Sequence, residues 1–228
     1  MPAKTKTARR TAGAPGRNDR VQRILDALDQ LYPGATCALH HKDAWQLLVA
    51  TILSAQCTDK RVNEVTPGLF RKYPTVADFA AASQEELAQD IRSTGFFNNK
   101  AKAIRGAAQK ILSDFGGQMP RTMEEMLTIP GVARKTANVV LGTAYGLPTG
   151  IVVDTHVQRI AQRLDLTKEK DPVKIEQDLM KLIPQERWIL FSHQMIHHGR
   201  NLCVARKPKC AECPMDSFCY AKDKTTRT

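Results

Sequence analysis

The sequence has no run of apolar residues long enough to cross a membrane. Hydrophobic residues make up 42% of its 228 positions, an ordinary share for a globular protein. The most apolar run, residues 44–55, is shorter than the roughly 18 to 20 residues that span a bilayer. Basic residues near the N-terminus are not followed by an apolar segment, so a secretory signal peptide is not expected. The sequence therefore predicts a cytoplasmic protein that has no membrane partner.

Alternation of polar and apolar residues, the pattern of a half-buried strand, is essentially absent as well. Apolar residues recur instead at every third or fourth position, as between Val21 and Leu31. Residues that commonly cap helices, Asp43, Thr58 and Thr75, precede further segments of this kind. We therefore predict an all-α fold of about ten helices.

Acidic residues are too few to balance the basic ones. The chain has 23 Asp and Glu against 34 Lys and Arg, which gives a net charge of +11. Such a charge favours a polyanionic partner, usually nucleic acid, although a generally solvated basic surface is the alternative. Residues 1–17 are basic, contain no acid and have little to bury, so they are predicted to be a disordered tail. Residues 221–228 are predicted to be a frayed C-terminus.

The most informative segment is L-T-I-P-G-V-A-R-K-T-A-N-V-V-L-G-T-A at residues 127–144. Its pattern predicts a short helix, a tight turn at Pro130-Gly131 and a second helix. Because the first N–H groups of a helix have no partner inside it, this hairpin predicts a site for a DNA phosphate. Gly131, Ala133 and Arg134 are the candidate DNA contacts.

Two residues near this hairpin are candidates for chemistry. Lys135 lies almost opposite the apolar stripe of the second helix, so it faces solvent or a cleft. A solvated lysine or a phosphate anchor is the plain interpretation, but a free lysine amine can also attack carbon. Asp154 ends an apolar approach and fits the N-cap of the next helix. A carboxylate at that place could also stabilise a cationic sugar transition state.

Four cysteines lie close together near the C-terminus. Their spacing is C-x6-C-x2-C-x5-C, formed by Cys203, Cys210, Cys213 and Cys219. Without a secretion signal, this density predicts a metal site rather than disulfides, and the spacing leaves zinc and an iron–sulfur cluster open. Between the first two cysteines lie three basic residues that suit phosphate contact, Arg206, Lys207 and Lys209.

Together these motifs resemble the endonuclease III family, helix-hairpin-helix DNA glycosylases and abasic-site lyases of base excision repair. The resemblance includes S-A-Q-C-T-D at 54–59, G-F-F-N-N-K-A at 95–101, V-D-T-H at 153–156 and H-G-R-N-L-C before the cysteine cluster. It implies a [4Fe-4S] cluster and two helical lobes with a DNA cleft between them. One lobe would be a six-helix barrel over residues 38–150. The other, the cluster lobe, would combine residues 18–37 with 151–220.

The resemblance also implies roles for single residues. Lys135 would be the nucleophile and Asp154 the catalytic aspartate, acting on a damaged pyrimidine that is flipped out of duplex DNA. The enzyme would excise oxidised pyrimidines and cleave abasic sites by β-elimination through a lysine Schiff base. Gln56 would fill the gap in the base stack, and Phe96 or Phe97 would be an apolar wedge while the other is core. The resemblance further implies a monomer that acts at the bacterial nucleoid.

One position departs from the family pattern, and two other interpretations stay open. Ala133 stands where glycine is commoner, and alanine is tolerated there if its φ is negative. An adenine glycosylase of the same superfamily would share the cluster but usually lacks the hairpin lysine. A non-enzymatic DNA-binding module would use Lys135 only as an anchor and Asp154 only as a cap.

Overall fold

The computed structural model describes residues 17–225, and this part of the chain is all-α, as the sequence predicts. No strand occurs within it, and four short 3-10 helices accompany the α-helices. The eleven α-helices are α1 (Arg17–Leu31), α2 (Ala44–Leu53), α3 (Asp59–Lys72), α4 (Val76–Ala81), α5 (Gln84–Asp90), α6 (Phe97–Phe115), α7 (Met123–Leu127), α8 (Arg134–Tyr145), α9 (Thr155–Arg163), α10 (Pro172–Leu182) and α11 (Trp188–Asn201).

Capping residues set where several helices begin. The side chains of Asp43, Thr58 and Thr75 accept hydrogen bonds from backbone N–H groups in the first turns of α2, α3 and α4, which confirms the predicted starts. At Thr75 the bond is reciprocal, because Asp78 also accepts from the Thr75 backbone N–H. These caps replace the hydrogen bonds that a helix cannot make within its own first turn.

Two separate hydrophobic cores hold the helices together. The first is built from α2–α8 around residues such as Leu47, Phe79 and Ile104, all fully buried. The second joins α1 to the segment after residue 150, with Ile24 and Phe191 at its centre. The region predicted as a six-helix barrel contains seven α-helices, because the five-residue helix α7 is separate from α8.

Ion pairs connect elements of the two cores beside the hairpin. Asp59 of α3 pairs with Arg200 of α11 at 2.8 Å, and Arg134 of α8 pairs with Glu176 of α10 at 2.8 Å. These two pairs join α3 to α11 and α8 to α10, and so connect the first core to the second. No helix in the described range is both long and apolar enough to cross a membrane.

The two chain ends differ in part from the prediction. The predicted disordered tail lies outside the described residues, except for Arg17, which begins α1. Residues 221–225 are not frayed, because Lys224 pairs with Asp216 at 3.2 Å and the Thr225 backbone N–H donates to Cys210 Sγ at 3.5 Å. Residues 226–228 lie outside the described range.

Candidate active site

The turn between α7 and α8 requires a glycine for two reasons. The backbone N–H of Val132 donates to the carbonyl of Ile129 at 3.1 Å and closes the turn. Gly131 has φ +78°, and a Cβ added there would lie 2.9 Å from the Cβ of Ala103 on α6. Glycine therefore supplies a left-handed backbone and lets the hairpin pack closely against α6.

Helix α8 begins without a side-chain cap. Its N-cap is Ala133, with φ −92°, a conformation that alanine adopts without strain, and no side chain accepts from the first turn. The backbone N–H groups at this end are therefore available to an anion, and the helix dipole favours a negative charge there. The DNA contacts at Gly131 and Ala133 stay a prediction that this geometry fits.

Arg134 is engaged differently from its predicted role at the DNA. Its guanidinium donates to both carboxylate oxygens of Glu176, at 2.8 and 3.1 Å, and Asn138 donates to the same carboxylate at 2.8 Å. Glu176 is only 4% exposed, so its carboxylate oxygens depend on these donors in place of water. The bond to Glu176 in turn raises the pKa of Arg134. This side chain therefore links α8 to α10, and its contact with DNA stays a prediction.

Lys135 and Asp154 meet at one cleft although 19 positions separate their numbers in the chain. The exposed Lys135 lies in the first turn of α8, and Asp154 is the N-cap of α9. Oδ1 of Asp154 accepts from the backbone N–H groups of His156 and Val157, both at 2.8 Å. Both candidates line a cleft of about 670 Å³, and both also line a smaller cavity of about 120 Å³ behind it. The capping interpretation of Asp154 is confirmed. Capping uses only Oδ1, so Oδ2 can still interact with a substrate.

Gln56 and Phe96 line the same cleft from two loops. Phe96 is 61% exposed, whereas Phe97 packs against the first core, so the structure separates the two candidates for the wedge. Gln56 has φ +52° and Phe96 has φ +49°, a left-handed conformation that residues other than glycine rarely adopt. No sequence signal indicated this backbone geometry. Cys57 is half-buried and lines the cleft too.

Helix α11 contributes a residue that sequence reasoning missed. His193 lines the smaller cavity together with Lys135, Asp154 and His197. Burial, and to a smaller extent the neighbouring His197, together lower the pKa of His193 to about 4. The imidazole is therefore neutral near pH 7, and Thr143 Oγ1 lies 3.4 Å from its Nε2. The only hint in the sequence was the spacing of two histidines by four residues on one helix.

The four predicted cysteine ligands surround one cavity. All are free thiols, and Ile160, Leu164 and Met215 complete its apolar lining. Within residues 17–225 no three His, Cys, Asp or Glu side chains converge on a point that would suit a single metal ion. A thiolate set that encloses a space, rather than a point, fits a multi-iron cluster better than one zinc ion. Further donors are aimed at the sulfurs, such as Arg163, 3.3 Å from Cys203 Sγ.

The basic loop at residues 204–209, between the first two cysteines, has exposed basic side chains, while hydrogen bonds hold the backbone at its start. Arg206, Lys207 and Lys209 all face solvent. Arg163 of α9 donates to the carbonyls of Val204 at 2.8 Å and Ala205 at 3.1 Å. Their contact with DNA stays a prediction, but the loop that presents them is ordered by α9.

Comparison with known proteins places this architecture in a class. Residues 49–185 match the HhH-GPD superfamily of base excision DNA repair proteins, and residues 203–219 match the iron-sulfur binding domain of endonuclease III. The chain belongs to the HhH-GPD superfamily, within its endonuclease III family. The second match begins at Cys203 and ends at Cys219, the outermost of the four clustered cysteines.

Individual relatives are similar over most of their length. Endonuclease III of Synechocystis sp. is 57% identical, over 89% of this chain and 93% of its own. The Bacillus subtilis enzyme is 46% identical, over 88% and 91%. A solved non-covalent endonuclease III–DNA complex is 43% identical, covers 89% of this chain and 94% of its own, and has a TM-score of 0.85. A trapped endonuclease III–DNA covalent intermediate has the same identity and TM-score.

These findings confirm the resemblance seen in the sequence. The protein is a DNA-binding enzyme of base excision repair with DNA glycosylase and abasic-site lyase activity, and its cofactor is a [4Fe-4S] cluster. The alternative of a non-enzymatic DNA-binding module is wrong, because the family is one of enzymes; the roles of Lys135 and Asp154 stay predictions. The cluster also decides between the two metals that the cysteine spacing left open.

Proposed function

We propose that the enzyme excises oxidised pyrimidines from duplex DNA and then cleaves the strand through a Schiff base on Lys135. The observation that carries this proposal is the meeting of Lys135 and Asp154 in one cleft that Gln56 and Phe96 also line. A damaged or abasic nucleotide flipped into the cleft would face both catalytic groups. The trapped covalent intermediate of a relative supports a covalent route.

The chemistry balances with Lys135, Asp154 and water. The Lys135 amine bonds to C1′ of the sugar while the glycosidic bond breaks, and the base leaves with the electron pair and takes up a proton from water. Transfer of a proton from the bound nitrogen to O4′ opens the sugar ring and leaves a protonated Schiff base between Nζ and C1′. Loss of a C2′ proton to water then forms the C2′–C3′ double bond and expels the phosphate from C3′, so the strand breaks on the 3′ side of the lesion. Water then hydrolyses the imine and frees Lys135.

Asp154 stabilises the positive charge that develops on the sugar as the base departs. Two backbone N–H groups bond its Oδ1 and fix the carboxylate in one orientation, so little reorganisation is needed when the charge appears. An aspartate that only capped α9 would be replaceable by asparagine with little loss, since both cap helices well. The catalytic role predicts a large loss for the same change.

DNA would be held by the first turn of α8 and by the basic loop at Arg206, Lys207 and Lys209. The four cysteines named above would hold the [4Fe-4S] cluster, which when bound crosslinks residues 203–219 through iron–thiolate bonds. Gln56 would fill the space that the flipped nucleotide leaves, with Phe96 as the wedge. We also infer that the enzyme acts as a monomer, in the cytoplasm at the bacterial nucleoid. A single species of about 25.4 kDa by light scattering would support the monomer.

Borohydride trapping on an abasic-site duplex tests the Schiff base. The holoenzyme is expected to form a covalent adduct that Lys135→Ala abolishes. Lys102→Ala, which removes an exposed lysine of α6, is the matched control and should trap normally. Asp154→Asn should slow base release on the order of a hundredfold. Normal trapping by folded Lys135→Ala would overturn the proposal.

A further inference from the structure

Two exposed side chains in the cleft depend on backbone conformations that are costly to hold. Gln56 and Phe96 both have positive φ, a strained conformation for a residue that is not glycine. Hydrogen bonds within each loop are local, such as Cys57 N–H to the Ser54 carbonyl at 3.1 Å and Gly95 N–H to the Arg92 carbonyl at 3.3 Å. Such short-range bonds close each turn but do not fix one loop relative to the other.

A buried lysine connects the roots of these two loops. Lys100 lies in the first turns of α6 and is only 5% exposed. Its ammonium donates to the carbonyl of Leu53 at 2.7 Å and to that of Thr94 at 2.8 Å. Leu53 is the last residue of α2, and the loop that follows it contains Gln56. Thr94 ends the 3-10 helix Arg92–Thr94, and the loop that follows it contains Phe96. These are the Gln56 loop and the Phe96 loop.

The position of this ammonium is unusual enough to need a reason. Burial lowers the pKa of Lys100, so the charged form is held against a desolvation cost. Two carbonyls at the ends of helical segments offset that cost, because a cation interacts favourably with a helix C-terminus. An apolar residue would fill the same space without desolvation, but it would leave both carbonyls without this donor.

We propose that Lys100 is a positioning residue, whose ammonium fixes the Gln56 and Phe96 loops at one separation so that both side chains enter the same gap in DNA together. The proposal rests on the roles proposed above for Gln56 and Phe96. It assigns Lys100 no contact with the reacting atoms. Lys100 affects the reaction only through the two loops. Removal of its ammonium should therefore reduce how much Gln56 and Phe96 each contribute to the rate of base release.

A double-mutant cycle tests this with the holoenzyme. Single-turnover rates of base release are measured on a duplex with one thymine glycol, for Gln56→Ala and Phe96→Ala in the native chain and in Lys100→Met. The fraction of active enzyme is corrected by borohydride trapping, so that poor folding alone does not alter a ratio of rates. Lys102→Met removes an exposed charge from the same helix and serves as the control background.

We expect each alanine variant to lose about tenfold in the native chain and in Lys102→Met, but less than about threefold in Lys100→Met. Equal losses in all three backgrounds would overturn the role of Lys100 and leave those of Gln56 and Phe96 intact. No loss in any background would overturn the roles of both loop residues, and that of Lys100 with them. If Lys100→Met does not fold, Lys100→Gln, which is shorter and lacks the ammonium, replaces it in the cycle with the same expected losses.

Discussion

Replacement of Gly131 by alanine should destabilise the hairpin through two effects that the structure separates. The left-handed backbone at φ +78° costs about 1 to 2 kcal/mol once a Cβ is present. The new Cβ, 2.9 Å from that of Ala103, forces a shift that costs about 1 to 3 kcal/mol more. The smaller entropy of the unfolded alanine chain returns about 0.4 to 1 kcal/mol. We expect a net loss of roughly 3 kcal/mol.

Gly146→Ala is the matched control. Gly146 ends α8 with φ +67°, but a Cβ there would meet nothing within 4 Å, so only the backbone cost applies. Thermal unfolding of the two holoenzyme variants should therefore differ by the contact with Ala103, at about 2 to 4 °C per kcal/mol for a chain of this size. The displaced hairpin should also weaken binding to an abasic-site duplex, measured by fluorescence anisotropy, in Gly131→Ala but not in Gly146→Ala.

A second change in the same chain checks the cause. Ala103→Gly removes the opposing methyl group and by itself costs about 1 kcal/mol, as glycine does within a helix. In combination with Gly131→Ala it should restore the part of the loss due to the contact, because the remaining neighbour, the Ala103 Cα at 3.7 Å, is at an ordinary distance. Additive losses in the double variant, or equal losses in Gly131→Ala and Gly146→Ala, would refute this reasoning.

Three further changes test the site. Ala133→Gly should alter the dissociation constant for abasic-site DNA more than the single-turnover rate. Equal dissociation constants for the variant and the native protein would contradict this prediction. Arg134→Ala should lower the free energy of unfolding by about 1 to 3 kcal/mol, because the buried Glu176 loses two of its hydrogen bonds. If Arg134 acts only as a phosphate contact, the variant should instead flatten the salt dependence of binding at unchanged stability. The free energy of unfolding should fall as pH drops from 6.5 towards 4, because His193 binds a proton in the unfolded chain but stays neutral in the folded one over this range. His193→Leu should abolish up to about 3 kcal/mol of this loss. The other ionisable residues that line the same cavity are Asp59, Lys135, Asp154, His197 and Arg200, and they are unchanged in this variant.

Features that depend on neighbours in the chain were predictable from the sequence. The caps at Asp43, Thr58 and Thr75 act on N–H groups two or three residues away, so the residue type and its place are sufficient evidence. The hairpin at Gly131 and the role of Asp154 as a cap are equally local. The cysteine spacing predicted a metal site for the same reason, because its four ligands lie within 17 residues.

Features that depend on distant partners were not predictable. Arg134 and Glu176 are 42 positions apart, and nothing near Arg134 in the sequence indicates that a buried carboxylate will lie beside it. Residues 221–225 have a polar composition typical of a free end, yet they pack back on the cluster loop 15 residues earlier. The left-handed conformation at Gln56 and Phe96 was hidden because neither residue is one that favours it.

The hardest contacts to predict are those in which a side chain binds a backbone carbonyl. A carbonyl belongs to every residue and so leaves no mark in the sequence. Lys100 binds two of them, and Arg163 of α9 binds those of Val204 and Ala205. Because the Lys100 and Arg163 side chains are engaged inside the fold, fewer than the 34 Lys and Arg of the chain can contact DNA phosphates. The salt dependence of DNA binding should therefore follow the exposed cations of the 204–209 loop more closely than the total charge.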